Sequence, residues 1–157
     1  MDQTERAKLI TKIAQLPTQL ENLTAVLSEA QLTTHFLPNE WTVAQNVHHV
    51  ADSHMNSMIR MKLILTEEMP ILRPYLQDDW AVLADGTPAA LQNSLLLLKG
   101  LHSRWVLLFE SLSEAQWQRK GLHPDIGEVS VEDILISYAA HGEGHIDQIQ
   151  RTLAAEK

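Results

Sequence analysis

Two histidines four residues apart, in the stretch His141-Gly142-Glu143-Gly144-His145, are the sharpest chemical signal in the chain. On a helix they share one face, one turn from each other. Two imidazoles at that spacing can hold a first-row divalent metal together. The two intervening glycines support a special role, because each glycine inside a helix costs about 0.5–1 kcal/mol relative to alanine. Close approach of another helix or of a ligand is the reason expected for them. The plain alternative is a pair of surface histidines. The stretch is not the HExxH motif of zinc proteases, because Gly142 stands where the general-base glutamate would be. Glu143 is about 200° around the helix from His141 and does not face the same ion. A base for hydrolysis must then come from elsewhere, or be a metal-bound hydroxide.

A catalytic metal usually takes three protein ligands and keeps one position open. The third ligand should come from another helix, and the stretch 43–66 offers His48, His49 and His54. At about 100° per residue, Gln45, His49, Asp52, Asn56 and Arg60 share an arc of about 80°. His54 falls on the opposite face with Val47, Val50 and Met58, and His48 lies outside both arcs. The facing favours His49. Asp52, one turn away, suits an acceptor for an imidazole N–H or an acid/base group. The competing reading is that this polar stripe is simply the solvent face. His35 and His102 have no partner in the sequence and read as structural or solvated. His123 precedes Pro124 in a loop and is placed to border a site.

The composition narrows the chemistry. The chain has 157 residues, eight histidines and no cysteine, with 12 Lys+Arg against 20 Asp+Glu and a net charge of −8. This length predicts a single domain over residues 1–157. Without cysteine there are no disulfides, Cys-rich zinc sites or iron–sulfur clusters, so the side-chain metal ligands expected are His, Asp or Glu. Any thiol used in a reaction must come from outside the chain. The acidic balance lacks the basic face that nucleic-acid binding needs. No run approaches the roughly 18 apolar residues of a membrane span. The charged start Met1-Asp2-Gln3-Thr4-Glu5-Arg6 has no apolar signal region, and a soluble cytoplasmic protein is expected.

Four segments should position these residues. The first, about 4–29, carries Leu9, Ile13, Leu16, Leu20, Leu23 and Leu27 at bundle spacing, with Pro17 predicting a kink or break. The second opens on the capping box Thr42…Gln45 and runs to about Thr66. The third opens on Thr87-Pro88 and runs to about Leu112, with Trp105 and Phe109 as core. Ser113…Gln116 caps an extra helical turn. The last, about 131–155, is capped by Ser130 with Asp133 and carries the His141/His145 pair. Residues 67–86 read as a long irregular loop bearing Arg73, Tyr75, Asp79 and Trp80, with Trp80 as a pocket wall. Trp41 should pack across the end of the second helix. Residues 120–129 read as loop, and no strand-like alternation is evident. The fold class expected is all-α, a four-helix bundle whose long connections leave its topology open.

The run from Trp41 to His54 resembles the second-helix signature of the DinB superfamily. Met55 to Arg60, Leu65-Thr66-Glu67, Arg73-Pro74-Tyr75, Asp79, Trp80, Leu101 to Trp105, His123-Pro124 and His141…His145 resemble its YfiT-like branch. The resemblance covers nearly all of the chain beyond residue 30. It implies a four-helix bundle with one divalent metal per chain, zinc or nickel, held by His49, His141 and His145. It also implies a metal-dependent hydrolase that is cytoplasmic and homodimeric. Related bundles act as thiol S-transferases, including ones that use bacillithiol. His48 directly before His49 departs from much of the superfamily.

Three neutral imidazoles would leave the ion's charge largely uncompensated. A bound water would have its pKa lowered from about 15.7 to about 7, and a bound thiol would be deprotonated in the same way. Arg60 and Arg73 are candidates to bind a carboxylate or phosphate of a small-molecule substrate, and Asn56, Tyr75, Asp79 and Trp80 to shape its pocket. A low-molecular-weight thiol is the alternative cosubstrate. The reading from a different class is a non-catalytic metal-binding or structural bundle that dimerises through apolar faces.

Overall fold

The computed structural model describes residues 1–156. Serine, threonine or aspartate caps start most of the helices. Asp2 caps α1 (Gln3–Thr24), Ser28 caps α2 (Glu29–Thr33) and Thr42 caps α3 (Val43–Thr66), each by a reciprocal box with the residue three positions on. A short α4 (Gln77–Ala81) precedes α5 (Gln92–Glu110). Ser113 and Ser130 cap α6 (Glu114–Trp117) and α7 (Val131–Ala154). Between the last two helices, β1 (Lys120–His123) and β2 (Gly127–Ser130) form an antiparallel hairpin in which His123 pairs with Gly127.

The four long helices make a bundle in which α1 and α3 each pack against both α5 and α7. The consecutive pairs α1/α3 and α5/α7 therefore sit across diagonals. Only the α3-to-α5 connection joins neighbours. One apolar cluster gathers around Trp105, Phe109 and Trp117, and the other around Val43, Val47, Leu95 and Ile149. Among the described residues no helix is long and apolar enough to cross a membrane.

Local details differ from the sequence reading. The first helix stops at Thr24, whose hydroxyl turns back to the Leu20 carbonyl, and the Ser28 box begins a separate helix before residue 29 is passed. Pro17 neither breaks nor ends α1. It sits buried within the helix, and the Ile13 carbonyl, four residues back, accepts from His102 instead of from the N–H that proline lacks. The third helix starts at Gln92 rather than at Thr87-Pro88. The Pro88 carbonyl is taken by His48 Nε2 at 2.9 Å, and Leu91 N donates to Ala89 O, so this segment forms a turn. The hairpin at 120–130 corrects the expectation of plain loop. Its strands have four residues each, too short to show alternation. They are reinforced from far along the chain, by Leu72 N to Leu122 O and Leu122 N to Pro70 O. That approach needs Gly121, where a Cβ would lie 3.0 Å from the Pro70 carbonyl oxygen. Within 67–86, α4 is tied to the bundle by Gln45 Nε2, which donates to the Ala81 carbonyl at 2.9 Å.

Candidate metal centre

The α3 cap sets the rotation of His49, and α7 carries His141 and His145 one turn apart. Their Nε2 atoms converge. His49 Nε2 lies 3.3 Å and His145 Nε2 3.2 Å from His141 Nε2, and one ligand atom from each residue falls within 4.8 Å of the others. Nitrogens about 2.0–2.1 Å from a tetrahedral ion are separated by about 3.3 Å, so the donor set fits a small divalent cation. His48 faces the other way, bonded to Ser94 Oγ at 2.8 Å and to the Pro88 carbonyl. Glu143 is exposed and pairs with Lys12.

Burial keeps the three imidazoles neutral. It pushes His49 down to about 4, with His145 adding to the effect. His141 falls to about 3 by burial and then by the proximity of His145 and His49. His145 falls to about 4 by burial. Neutral imidazoles are the form that ligates metal. Asn46, wholly buried, donates from Nδ2 to the Thr42 carbonyl, which turns Oδ1 toward His145 Nδ1 at 2.8 Å. His145 therefore carries its proton on Nδ1 and presents a bare Nε2. Behind His141, Nδ1 lies 3.1 Å from His54 Nε2, and His54 Nδ1 lies 2.9 Å from His102 Nε2.

The three imidazoles open on a cavity of about 410 Å³, lined also by Trp41, Glu40, Asp78 and Gln148. The Trp41 ring centre is 4.5 Å from that of His49, and Trp41 stacks on His145 at 6.2 Å. Just before the α3 cap, Trp41 packs on a residue of α3 and one of α7 and walls the site. A second cavity of about 580 Å³ is lined by Asn56, Arg73, Tyr75, Asp79 and Trp80. Tyr75 lines this second cavity with its ring centre 6.5 Å from that of His49, and its buried hydroxyl has no hydrogen-bond partner among the described residues.

Other sequence candidates lie apart from the triad. Arg60 holds the loop by donating to the Arg73 carbonyl at 2.7 Å. Asp52 lines a different cleft with His48, Asp85 and Asn93. Burial and then Asp85 push its carboxyl up. His123 sits in β1, where Asp125 N donates to its Nδ1. The polar stripe of α3 is not a solvent face, because Gln45 and His49 are buried and Asp52, Asn56 and Arg60 half-buried. Sequence reasoning missed Asn46, His54 and His102. The spacing of Ile13 and Pro17 was the one available signal for His102, since a helix proline frees the carbonyl four residues back.

A four-helix bundle with three convergent histidines on two of its helices is the architecture of a metal-binding bundle protein. The chain belongs to the DinB superfamily, whose family model matches residues 12–149. It is 42% identical over 146 residues to a Bacillus subtilis protein named "Putative metal-dependent hydrolase YfiT", covering 92% of this chain and 82% of that one. A relative in Halalkalibacterium halodurans given the same description is 40% identical over 148 residues, covering 94% and 86%. The solved structure of YfiT, described as having an unusual four-helix bundle topology, superposes with a TM-score of 0.93 at 39% identity, covering 97% of this chain and 87% of that one. The mycothiol-dependent maleylpyruvate isomerase matches at a TM-score of 0.69 and 16% identity, covering 90% and 59%, a likeness of fold alone.

Proposed function

We propose that the chain is a divalent-metal-dependent hydrolase of small molecules, with His49, His141 and His145 as the metal ligands. The observation that carries this is the convergence of three neutral imidazoles, with His141 Nε2 at tetrahedral spacing from the Nε2 atoms of both His49 and His145. The names of the YfiT-like relatives support the reaction class. Zinc is the proposed ion and nickel the alternative, since three nitrogens suit both. When bound, the cation supplies Lewis acidity that draws the pKa of a coordinated water toward about 7. Asn46 orients His145 for this role, and Trp41 screens one side of the site from solvent. Asn56, Arg73, Tyr75, Asp79 and Trp80 line the cavity proposed to take the substrate. The Tyr75 hydroxyl is ready to donate, and Arg73 suits an anionic group. The resemblance supports a cytoplasmic homodimer as the working form.

The test is metal content after purification without chelator. About one equivalent per chain is expected. His49→Ala, His141→Ala and His145→Ala should each lose it, while His48→Ala should keep it. Metal far below one equivalent, with no uptake of added zinc or nickel, overturns the reading. Faster-than-background conjugation of a low-molecular-weight thiol to monobromobimane, with no ester or amide hydrolysis, would replace hydrolase by thiol S-transferase.

A further inference from the structure

A line of three histidines from three helices runs back from the candidate metal site, beginning at His141. His102 on α5 meets the Ile13 carbonyl of α1 at 2.6 Å through Nδ1. Its Nε2 is 2.9 Å from His54 Nδ1, and His54 Nε2 is 3.1 Å from His141 Nδ1. His54 and His102 are sealed in the core and stacked with ring centres 4.9 Å apart, and His54 is edged by Trp105 and Tyr138. Neither residue has a role in holding a cation.

We infer that this line is a tautomer relay: the carbonyl that Pro17 leaves free in α1 dictates, through His102 and His54, that His141 presents a bare Nε2 to the site. The reasoning needs only the donor and acceptor inventory. A carbonyl accepts and never donates, so the proton of His102 is on Nδ1. A neutral imidazole has one N–H, so His102 Nε2 accepts, and the proton between the rings belongs to His54 Nδ1. His54 Nε2 then accepts in turn, and the His141 proton sits on Nδ1. The lone pair left on His141 Nε2 points at His49 and His145. Burial keeps the line neutral, holding His102 down at about 4 and His54 well below the ordinary histidine range.

The source of the order is one residue of sequence. In an uninterrupted helix the Ile13 carbonyl would be occupied by the N–H of residue 17. Proline has none, so the carbonyl is available to α5, and His102 donates to it while the helix runs on through Pro17. His54 and His102 are positioning residues: they act on the site through His141. As a statement about metal binding the relay rests on the proposed function, whereas as a statement about tautomers it stands alone.

Imidazole nitrogen-15 NMR on the metal-free full chain at neutral pH reads the tautomers directly. His102, His54 and His141 should all be Nδ1–H forms. An Nε2–H form at His54 or His102 overturns the inference, whatever the metal content. The second arm is zinc affinity. His102→Leu removes the relay's source and should weaken binding, by up to about the 10–100-fold that loss of a ligand's own orienting partner costs. His102→Gln is the rescue, because its amide can donate to Ile13 O and accept from His54. It should keep the Nδ1–H form at His141 and bind within a few-fold of wild type. His102→Leu binding as tightly as wild type, with His141 still Nδ1–H, overturns the relay. Correct tautomers in a chain that binds neither zinc nor nickel would instead overturn the metalloenzyme reading and leave the relay standing.

Discussion

The two glycines between His141 and His145 should respond to alanine in opposite directions. Gly142 faces α1. A Cβ there would stand 2.6 Å from Leu16 Cδ2, 3.2 Å from Cδ1 and 3.4 Å from Cγ. Leu16 is 3% exposed and packed among Leu20, Val47 and Ile149, so it has little room to yield. Overpacking of this kind costs about 1–3 kcal/mol, against a gain of about 0.5–1 kcal/mol from replacing a helix glycine. The net for Gly142→Ala is a loss of about 0–2.5 kcal/mol, centred near 1 kcal/mol. At Gly144 a Cβ meets nothing within 4 Å, so Gly144→Ala keeps the whole gain of about 0.5–1 kcal/mol. In a chain of this size each kcal/mol moves Tm by about 2–4 °C. Thermal and urea unfolding of the metal-free proteins should show Gly142→Ala melting lower and Gly144→Ala melting higher than wild type. Equal shifts of one sign would refute the close approach of α1 and α7 as the reason for Gly142.

Asn46→Ala removes the acceptor of His145 Nδ1–H and should weaken zinc binding by about 10–100-fold, read by competition with a chromophoric chelator; unchanged affinity would show that Asn46 does not orient the ligand. Gln45→Ala loses the bond from Thr42 N to its side chain, one half of the α3 capping box, and the bond to Ala81 O, and should cost about 1–2 kcal/mol in urea unfolding, with faster exchange of amides around α4. Acid should destabilise the metal-free protein. The His102 pKa is about 4 in the fold against 6.5 in the unfolded chain, so below pH 6.5 the unfolded chain takes up a proton that the native state refuses. Stability is full above about pH 6.5 and falls by up to about 1.4 kcal/mol per pH unit toward pH 4, about 3 kcal/mol for this one group. Urea midpoints that stay level between pH 7.5 and pH 5 would contradict this.

Much of the site was legible because its parts are local. Histidines four apart on α7 share a face by helix geometry alone, and the Thr42 and Ser130 boxes mark where α3 and α7 begin. The arc that separates His49 from His48 follows from 100° per residue, and the structure points His48 at Ser94 and Pro88 instead. The all-α class likewise follows from apolar spacing within each helix. What the spacing could not supply was which helices touch. The diagonal placement of α1 against α3 comes from how four apolar faces pair, which no single helix encodes. The hairpin is reinforced by Pro70 and Leu72 reaching Leu122 from far away in the chain. His54 is the clearest case: periodicity puts it on the apolar face, and it is indeed in the core. That core also holds His102 from α5 and a carbonyl from α1, so a face that reads as packing becomes a hydrogen-bonded line to His141. The sequence by itself determined the cores of the four long helices, the Thr42 and Ser130 caps and the histidines within one turn of each other, because these depend on neighbours along the chain. The tertiary structure decided the convergence of His49 with His141 and His145, the walls of the cavity and the line of hydrogen bonds behind His141, because a hydrogen bond needs its partner in space.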